Sequence, residues 1–167
     1  TEPNVLTLHA GDFFIGDLFF NMYFGVPELR LMSALGFDAM SVGNHEFDLT
    51  PAALQQALDM AFSVAPQFPL VSANAILNAP EVQGLRQYIR PYIIKQIGNK
   101  KVGIFGMTTP SANVMSQPSP VFIDSNIIQI AAAMVDTLTA QHCNLIICLS
   151  HLGLSLDEAV ASYVPGI

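Results

Sequence analysis

The order of patterns along the chain predicts an α/β fold with one central core. Short apolar runs of strand character alternate with segments whose apolar residues recur at helical spacing. The length, 167 residues, suits a single domain. Three of the apolar runs also end in a polar residue able to bind a ligand, as expected where strands of an open sheet share a carboxyl edge.

From the N-terminus, Val5 to Ala10 is a strand-like run ending in Gly11-Asp12. Pro27 to Leu35 has helical spacing, with Leu29, Met32 and Leu35 on one face and Gly36 as a stop. Asp38 to Val42 is a short strand that runs into Gly43-Asn44-His45. Thr50-Pro51 has the form of an N-cap and first-turn proline, opening a helix that continues to Val64. Pro69 to Ala73 is another short apolar strand. Two β-rich runs, Tyr88 to Ile97 and Lys101 to Met107, flank Gly98-Asn99-Lys100 and predict a hairpin. Pro110 to Pro120, rich in serine and proline, is a loop. Asn126 to Gln141 is an amphipathic helix with Ile127, Ile130, Ala131, Met134, Val135 and Leu138 on its apolar face. Leu145 to Leu149 is apolar throughout, the pattern of a strand inside a sheet covered on both faces. It leads to Ser150-His151, and Ser155 to Tyr163 begins the last helix.

Composition excludes several classes. Hydrophobic residues make up 51%, mean hydropathy is +0.45 and charged residues are 11%, so the chain is not intrinsically disordered. Ordinary soluble domains carry roughly 25% charge; this surface is either unusually neutral or partly covered. No apolar stretch reaches the roughly 20 residues that span a bilayer. The opening Thr1-Glu2-Pro3-Asn4 lacks the basic and apolar regions of a secretion signal. Six basic against 13 acidic residues give a net charge of −7, which argues against binding a nucleic-acid backbone. A nucleotide remains compatible, because bound cations neutralise phosphate locally. Cys143 and Cys148 are too few for a disulfide framework, and Cys148, set in an apolar run, reads as an inert packed thiol.

The polar strand ends carry the chemistry. Asp12, Asn44, His45 and His151 offer a carboxylate, an amide oxygen and imidazoles, a mixed donor set that suits Zn, Mn or Fe better than Ca. Singly, each has a plainer role. Asp12 and Asn44 are at home in turns, His45 at the start of a helical turn, and His151 at a strand end. Together they favour a site. His9 reads as a packed strand residue and His142 as a complement to a helix dipole. Asp17, Asp38, Asp124 and Glu28 read as solvated. Competing motifs fail: a zincin helix from His45-Glu46 needs histidine where Leu49 stands, and no Gly-x-Ser-x-Gly elbow or Walker loop occurs. Gly103 to Gly106 is not a dinucleotide fingerprint, and the two cysteines have no companion pair.

Gly43-Asn44-His45-Glu46-Phe47-Asp48 closely resembles the signature of the metal-dependent 5'-nucleotidases, a branch of the calcineurin-like metallophosphoesterases. Leu8-His9-Ala10-Gly11-Asp12, with Gly16 following, resembles the family's Gly-Asp motif. Leu70 to Asn74, Val102 to Gly106 and Ser150-His151-Leu152-Gly153 resemble its later motifs, in the right order, so the likeness spans nearly the whole chain. It implies a metallophosphoesterase-type αββα sandwich, here one catalytic domain over residues 1–167 that is partial at both ends. The implied activity is hydrolysis of phosphate monoesters, nucleotides foremost, by a hydroxide bridging two divalent ions of Zn, Mn or Fe. The resemblance makes Asp12 the bridging carboxylate, with Asn44 and His151 as ligands of the second ion. Asn44 and His45 would contact the phosphate, His45 would stabilise transition-state charge, and Asp48 would orient it. That pairing is chemically sound, since a carboxylate fixes an imidazole's tautomer and favours its charged form.

Two family motifs, Asp-x-His and Gly-His-x-His, do not occur in the sequence, and neither does the family's nucleoside-binding C-terminal domain. The resemblance therefore implies a half-site that further segments or a partner chain would complete. Its alternative is a non-catalytic fragment that binds metal or nucleotide. Exposed apolar surface is expected beside the strands carrying Asp12 and His151. A periplasmic or extracellular location is implied by resemblance alone.

Overall fold

The computed structural model describes residues 4–16 and 18–167. Thr1-Glu2-Pro3 and Asp17, to which two of the sequence readings refer, lie outside the described residues. In chain order the elements are β1 (Leu8–His9), α1 (Leu18–Tyr23), α2 (Val26–Ala34), β2 (Ala39–Ser41), α3 (Pro51–Phe62), β3 (Leu70–Val71), β4 (Ala75–Ile76), β5 (Ile89–Arg90) and β6 (Tyr92–Ile97). They continue with β7 (Lys100–Thr108), α4 (Ala112–Met115), β8 (Phe122–Ile123), α5 (Ile127–Ala140), β9 (Leu145–His151) and α6 (Leu154–Tyr163).

Strands β1-β2-β3-β5 form a parallel sheet, and β6-β7-β9 a second one in which β6 and β7 are antiparallel and β7 and β9 parallel. A small antiparallel ribbon joins β4 to β8. The two sheets face each other across Ala39, Val71, Val102, Ile104 and Leu149. On the far side of the first sheet, Met40, Val42 and Leu70 pack against Leu29 of α2 and Leu54 and Leu58 of α3. On the far side of the second, Phe105 and Met107 pack against Ala131, Val135 and Leu138 of α5 and Val160 of α6. The layering is thus helix, sheet, sheet, helix, and the mixed α/β expectation holds.

Several local readings hold for their stated reasons. The Thr50 hydroxyl oxygen accepts the Ala53 N–H at 3.1 Å, capping α3 behind Pro51. The hairpin pairs Ile97 with Lys100, leaving Gly98-Asn99 as a two-residue turn. Others are corrected. The run Tyr88 to Ile97 is not one strand: Pro91 divides it, so that Ile89–Arg90 pairs with β3 and Tyr92 onward with β7. Proline has no N–H for a ladder, and it sits where the chain passes from one sheet to the other. Leu35 lies beyond the end of α2 and is exposed, because the helix stops at Ala34 ahead of Gly36 in the left-handed region.

Among the described residues β9 has one strand neighbour, β7, with which it runs parallel. The Pro110 to Pro120 loop contains α4, and α1, β4, β8 and a 3-10 stretch at Pro80–Gln87 had no clear sequence signal. Asp38 is half-buried, accepts the Thr7 N–H at 2.8 Å and pairs with Lys95, so it is not solvated. One Glu28 oxygen is likewise buried without a hydrogen-bond partner among the described residues. Burial, with Asp157 nearby, pushes the Cys148 thiol up to about 12, consistent with an inert group. Val5 and Ile15, which precede and follow β1 in the chain, Leu145, the first residue of β9, and Leu154, which follows it, are exposed.

The sheets come into backbone contact at Gly106 of β7. Its carbonyl accepts the Ala73 N–H at 2.8 Å, and a Cβ there would lie 2.0 Å from the Val71 carbonyl oxygen. Backbone cannot yield as a flexible side chain can. Gly106→Ala is therefore expected to destabilise the fold by about 2 kcal/mol or more, the upper part of the overpacking range. Urea unfolding of the two proteins side by side measures it, and equal midpoints would refute the close sheet contact.

Candidate metal and phosphate site

Three strand ends meet at one place. Gly11 has φ +102°, and a Cβ on it would lie 2.8 Å from both the Gly43 nitrogen and His151 Nδ1. A Cβ on Gly43 would lie 2.1 Å from Asp12 Oδ1. Two glycines are needed because the loops after β1 and β2 approach each other, and His151, to this degree. Asp12 itself has φ +61°, a conformation that costs a non-glycine residue about 1–2 kcal/mol, so something must hold it.

Glu46 holds it. This side chain is fully buried, and its carboxylate accepts N–H bonds from Asp12 (3.0 Å), Phe13 (2.7 Å), Phe14 (3.2 Å) and Gly43 (2.5 Å). Burial raises its pKa, while the amides pull the other way because they bond more strongly to the ionised form. In the sequence Glu46 stands out only as a member of the Gly43–Asp48 hexapeptide and of a zincin motif that fails. No local signal marks its burial, since Asn44, His45 and Asp48 beside it are polar as well; once buried, a carboxylate must find hydrogen-bond partners.

Around this clamp the predicted residues converge. Asp12 Oδ1 accepts the His45 backbone N–H at 3.0 Å, and Asp12 Oδ2 lies 3.1 Å from His151 Nε2. The Asn44 side-chain oxygen lies 3.3 Å from the same Nε2. His151 Nδ1 donates to the Ala10 carbonyl at 2.7 Å, which directs the Nε2 lone pair of the neutral ring toward Asp12 and Asn44. His45 opens a 3-10 turn, His45–Phe47, and its Nδ1 is hydrogen-bonded to Asp48 Oδ2. His9 lies alongside, its ring edge-on to Phe37 and its Nδ1 accepting the Gly11 N–H at 3.2 Å. His142, exposed just past the end of α5, is apart from the site.

The electrostatics follow these contacts. Burial pushes the Asp12 pKa up, but the His151 side chain and the His45 amide outweigh it and the net shift is down. The Asp48 bond raises His45, with burial opposing, and the Asp12 bond raises His151 against the same opposition. Burial lowers His9.

The donor set fits a cation. Three lone-pair atoms, Asp12 Oδ2, Asn44 Oδ1 and His151 Nε2, gather with no hydrogen-bond donor among them when His151 is neutral. Two ligands at about 2.0–2.2 Å from one ion lie roughly 3.0–3.5 Å apart, and the observed separations of 3.1 and 3.3 Å match. Among the described residues no group of three His, Cys, Asp or Glu side chains could hold an ion. The Asn44 amide is what completes the trio.

No protein-family model matches the sequence. The chain is 38% identical to a snake venom 5'-nucleotidase from Naja atra over 167 residues, which is all of this chain and 31% of that protein. The crystal structure of a 5'-nucleotidase precursor from Thermus thermophilus superposes with a TM-score of 0.83 at 39% identity, over 95% of this chain and 30% of that one. A calcineurin-like phosphoesterase, YfkN from Bacillus subtilis, shares the fold with a TM-score of 0.71 at 24% identity, over 99% of this chain and 56% of that one. The chain spans less than a third of the length of the curated relatives it matches.

Replacing Glu46 tests the clamp. Glu46→Ala would leave four backbone N–H groups without their acceptor, at about 1–3 kcal/mol for each that water cannot reach. The expected result is a large loss of stability with fast amide exchange at Asp12 to Phe14. Exchange that stays slow in the variant would show that the loops hold without it.

Proposed function

We propose that this chain, which belongs to the 5'-nucleotidase family of calcineurin-like phosphoesterases, a family of hydrolases, carries part of the machinery for metal-dependent hydrolysis of nucleotide phosphomonoesters. The observation that carries this reading is the convergence of Asp12, Asn44 and His151 beside a His45–Asp48 pair. Asp12, Asn44 and His151 would hold a divalent ion, Zn, Mn or Fe, with Asp12 shared with a second ion. When bound, such ions supply Lewis acidity to the phosphoryl oxygens and a more acidic water.

The rest is done by this chain's own side chains. His45 is partly exposed, and with Nδ1 engaged by Asp48 it turns Nε2 outward. There it donates to a phosphoryl oxygen as charge grows on it, a contact that strengthens in the transition state. Asp48 keeps the ring oriented and favours its protonated form, and the Asn44 side chain would contact the same phosphate. A net charge of −7 makes the metal ions, and not the protein surface, the attraction for an anionic substrate. Residues 1–167 are read as one partial catalytic domain, with a nucleoside-binding domain belonging to other segments. An extracellular or periplasmic setting fits a relative named from venom.

A second reading is favoured by one observation: Asp12, Asn44 and His151 converge as one donor trio, enough for one ion. The chain by itself would then bind metal or nucleotide weakly, and turnover would require segments or a partner that complete the site.

Metal analysis and phosphate release from a nucleoside monophosphate separate the two. In protein that also contains the completing segments, the first reading expects two ions per chain, hydrolysis lost with chelator and restored by Mn or Zn, and His45→Asn lowering kcat by roughly 100-fold with metal content intact. His151→Ala should instead lower metal content. One loosely held ion without hydrolysis would leave the second reading. Hydrolysis that survives chelation, or that His45→Asn leaves unchanged, would overturn the first.

A further inference from the structure

Asp48 is held from a segment 68 residues further along the chain. Its Oδ2 meets His45 Nδ1, and its other oxygen, Oδ1, accepts the Ser116 hydroxyl at 2.6 Å. The next residue adds two backbone ties: the Gln117 side-chain amide donates to the Asp48 carbonyl at 3.0 Å, and the Gln117 N–H donates to the Phe47 carbonyl at 2.9 Å. The base of this tether is itself fixed. Ser116 follows α4, its N–H closing on the Ala112 carbonyl at 3.1 Å. Asn113 of α4 exchanges hydrogen bonds with the Ile123 backbone of β8, at 2.7 and 3.0 Å. The hydroxyl is therefore presented by an anchored element, not by a freely moving loop.

We infer that Ser116 is a positioning residue for His45, acting through Asp48. A carboxylate with only one oxygen engaged can rotate about its terminal bond, and the imidazole bonded to it turns with it. A short bond from a hydroxyl to an ionised carboxylate is among the stronger hydrogen bonds. With Oδ1 occupied by Ser116, Oδ2 is left facing His45 Nδ1, which fixes the ring plane and directs Nε2 toward the phosphate position. Ser116 touches neither substrate nor metal in this account. The inference rests on the role proposed above for His45, and its test is chosen so that the two fail separately.

The test compares Ser116→Ala with Ser116→Thr, which keeps the hydroxyl. Ser116 is half-exposed and outside the apolar core, so neither change opens a cavity. The first readout is the proton spectrum. His45 Nδ1–H, hydrogen-bonded to a carboxylate, should give a far-downfield resonance, assigned by its loss in His45→Asn. Ser116→Ala should move or broaden that resonance, and Ser116→Thr should restore it. The second readout is kinetic: in the metal-loaded protein Ser116→Ala should lower kcat roughly tenfold with KM nearly unchanged, because a loosened ring loses alignment in the transition state. A resonance unmoved by Ser116→Ala, or not restored by Ser116→Thr, overturns the positioning role. If no form hydrolyses a phosphomonoester, the hydrolase reading falls and the resonance alone decides the tether.

Discussion

The buried carboxylate of Glu46 is the constraint on which the site depends. Moving an unpaired charge into the interior costs several kcal/mol even after relaxation, and here the compensation is four backbone N–H groups from two different loops. Those amides lie within Asp12 to Phe14 and at Gly43, so the same bonds that stabilise the charge also fix the loop after β1 against the loop after β2. Asp12 is thereby held in a left-handed conformation that it would otherwise leave. Its own carboxylate then faces His151 and the His45 amide.

A second set of buried polar contacts supports the site from between the sheets. The Thr108 hydroxyl, at the end of β7, donates to the Val42 carbonyl at 2.7 Å and lies 2.8 Å from the Ser72 hydroxyl. Asn74 bonds the Thr108 backbone at both its N–H and its carbonyl, and reaches the Asp124 carbonyl as well. Val42 precedes Gly43 and Asn44, so this network sets the level at which the second loop leaves its sheet. Satisfied networks of this kind rigidify an interior, and each member left without a partner would be costly. With Gly106 allowing the sheets into backbone contact, the carboxyl ends of β2 and β9 come within reach of each other.

The low charge of the chain has a structural counterpart. Large apolar side chains stand exposed around α1 and α4, with Leu18 at 82% and Val114 at 85% exposure. Scattered apolar residues on a surface are ordinary. Their concentration here accompanies a composition with 11% charged residues, which leaves few polar side chains to cover the remainder.

The sequence alone carried the alternation of strands and helices, the capped start of α3, the hairpin and the grouping of Asp12, Asn44, His45, Asp48 and His151 as candidates for one site. These were legible because each depends on neighbours in the chain: periodicity, a cap two or three residues away, a turn between two runs, a hexapeptide that keeps its members adjacent. What it could not carry was any relation spanning many residues. The division of Tyr88 to Ile97 between two sheets, the burial of Glu46 against amides 32 to 34 residues away and the reach of Ser116 to Asp48 were decided by packing. Local pattern states what a residue prefers. Which groups it meets is set by the close approach of distant backbone segments, and only the tertiary structure brings those segments together.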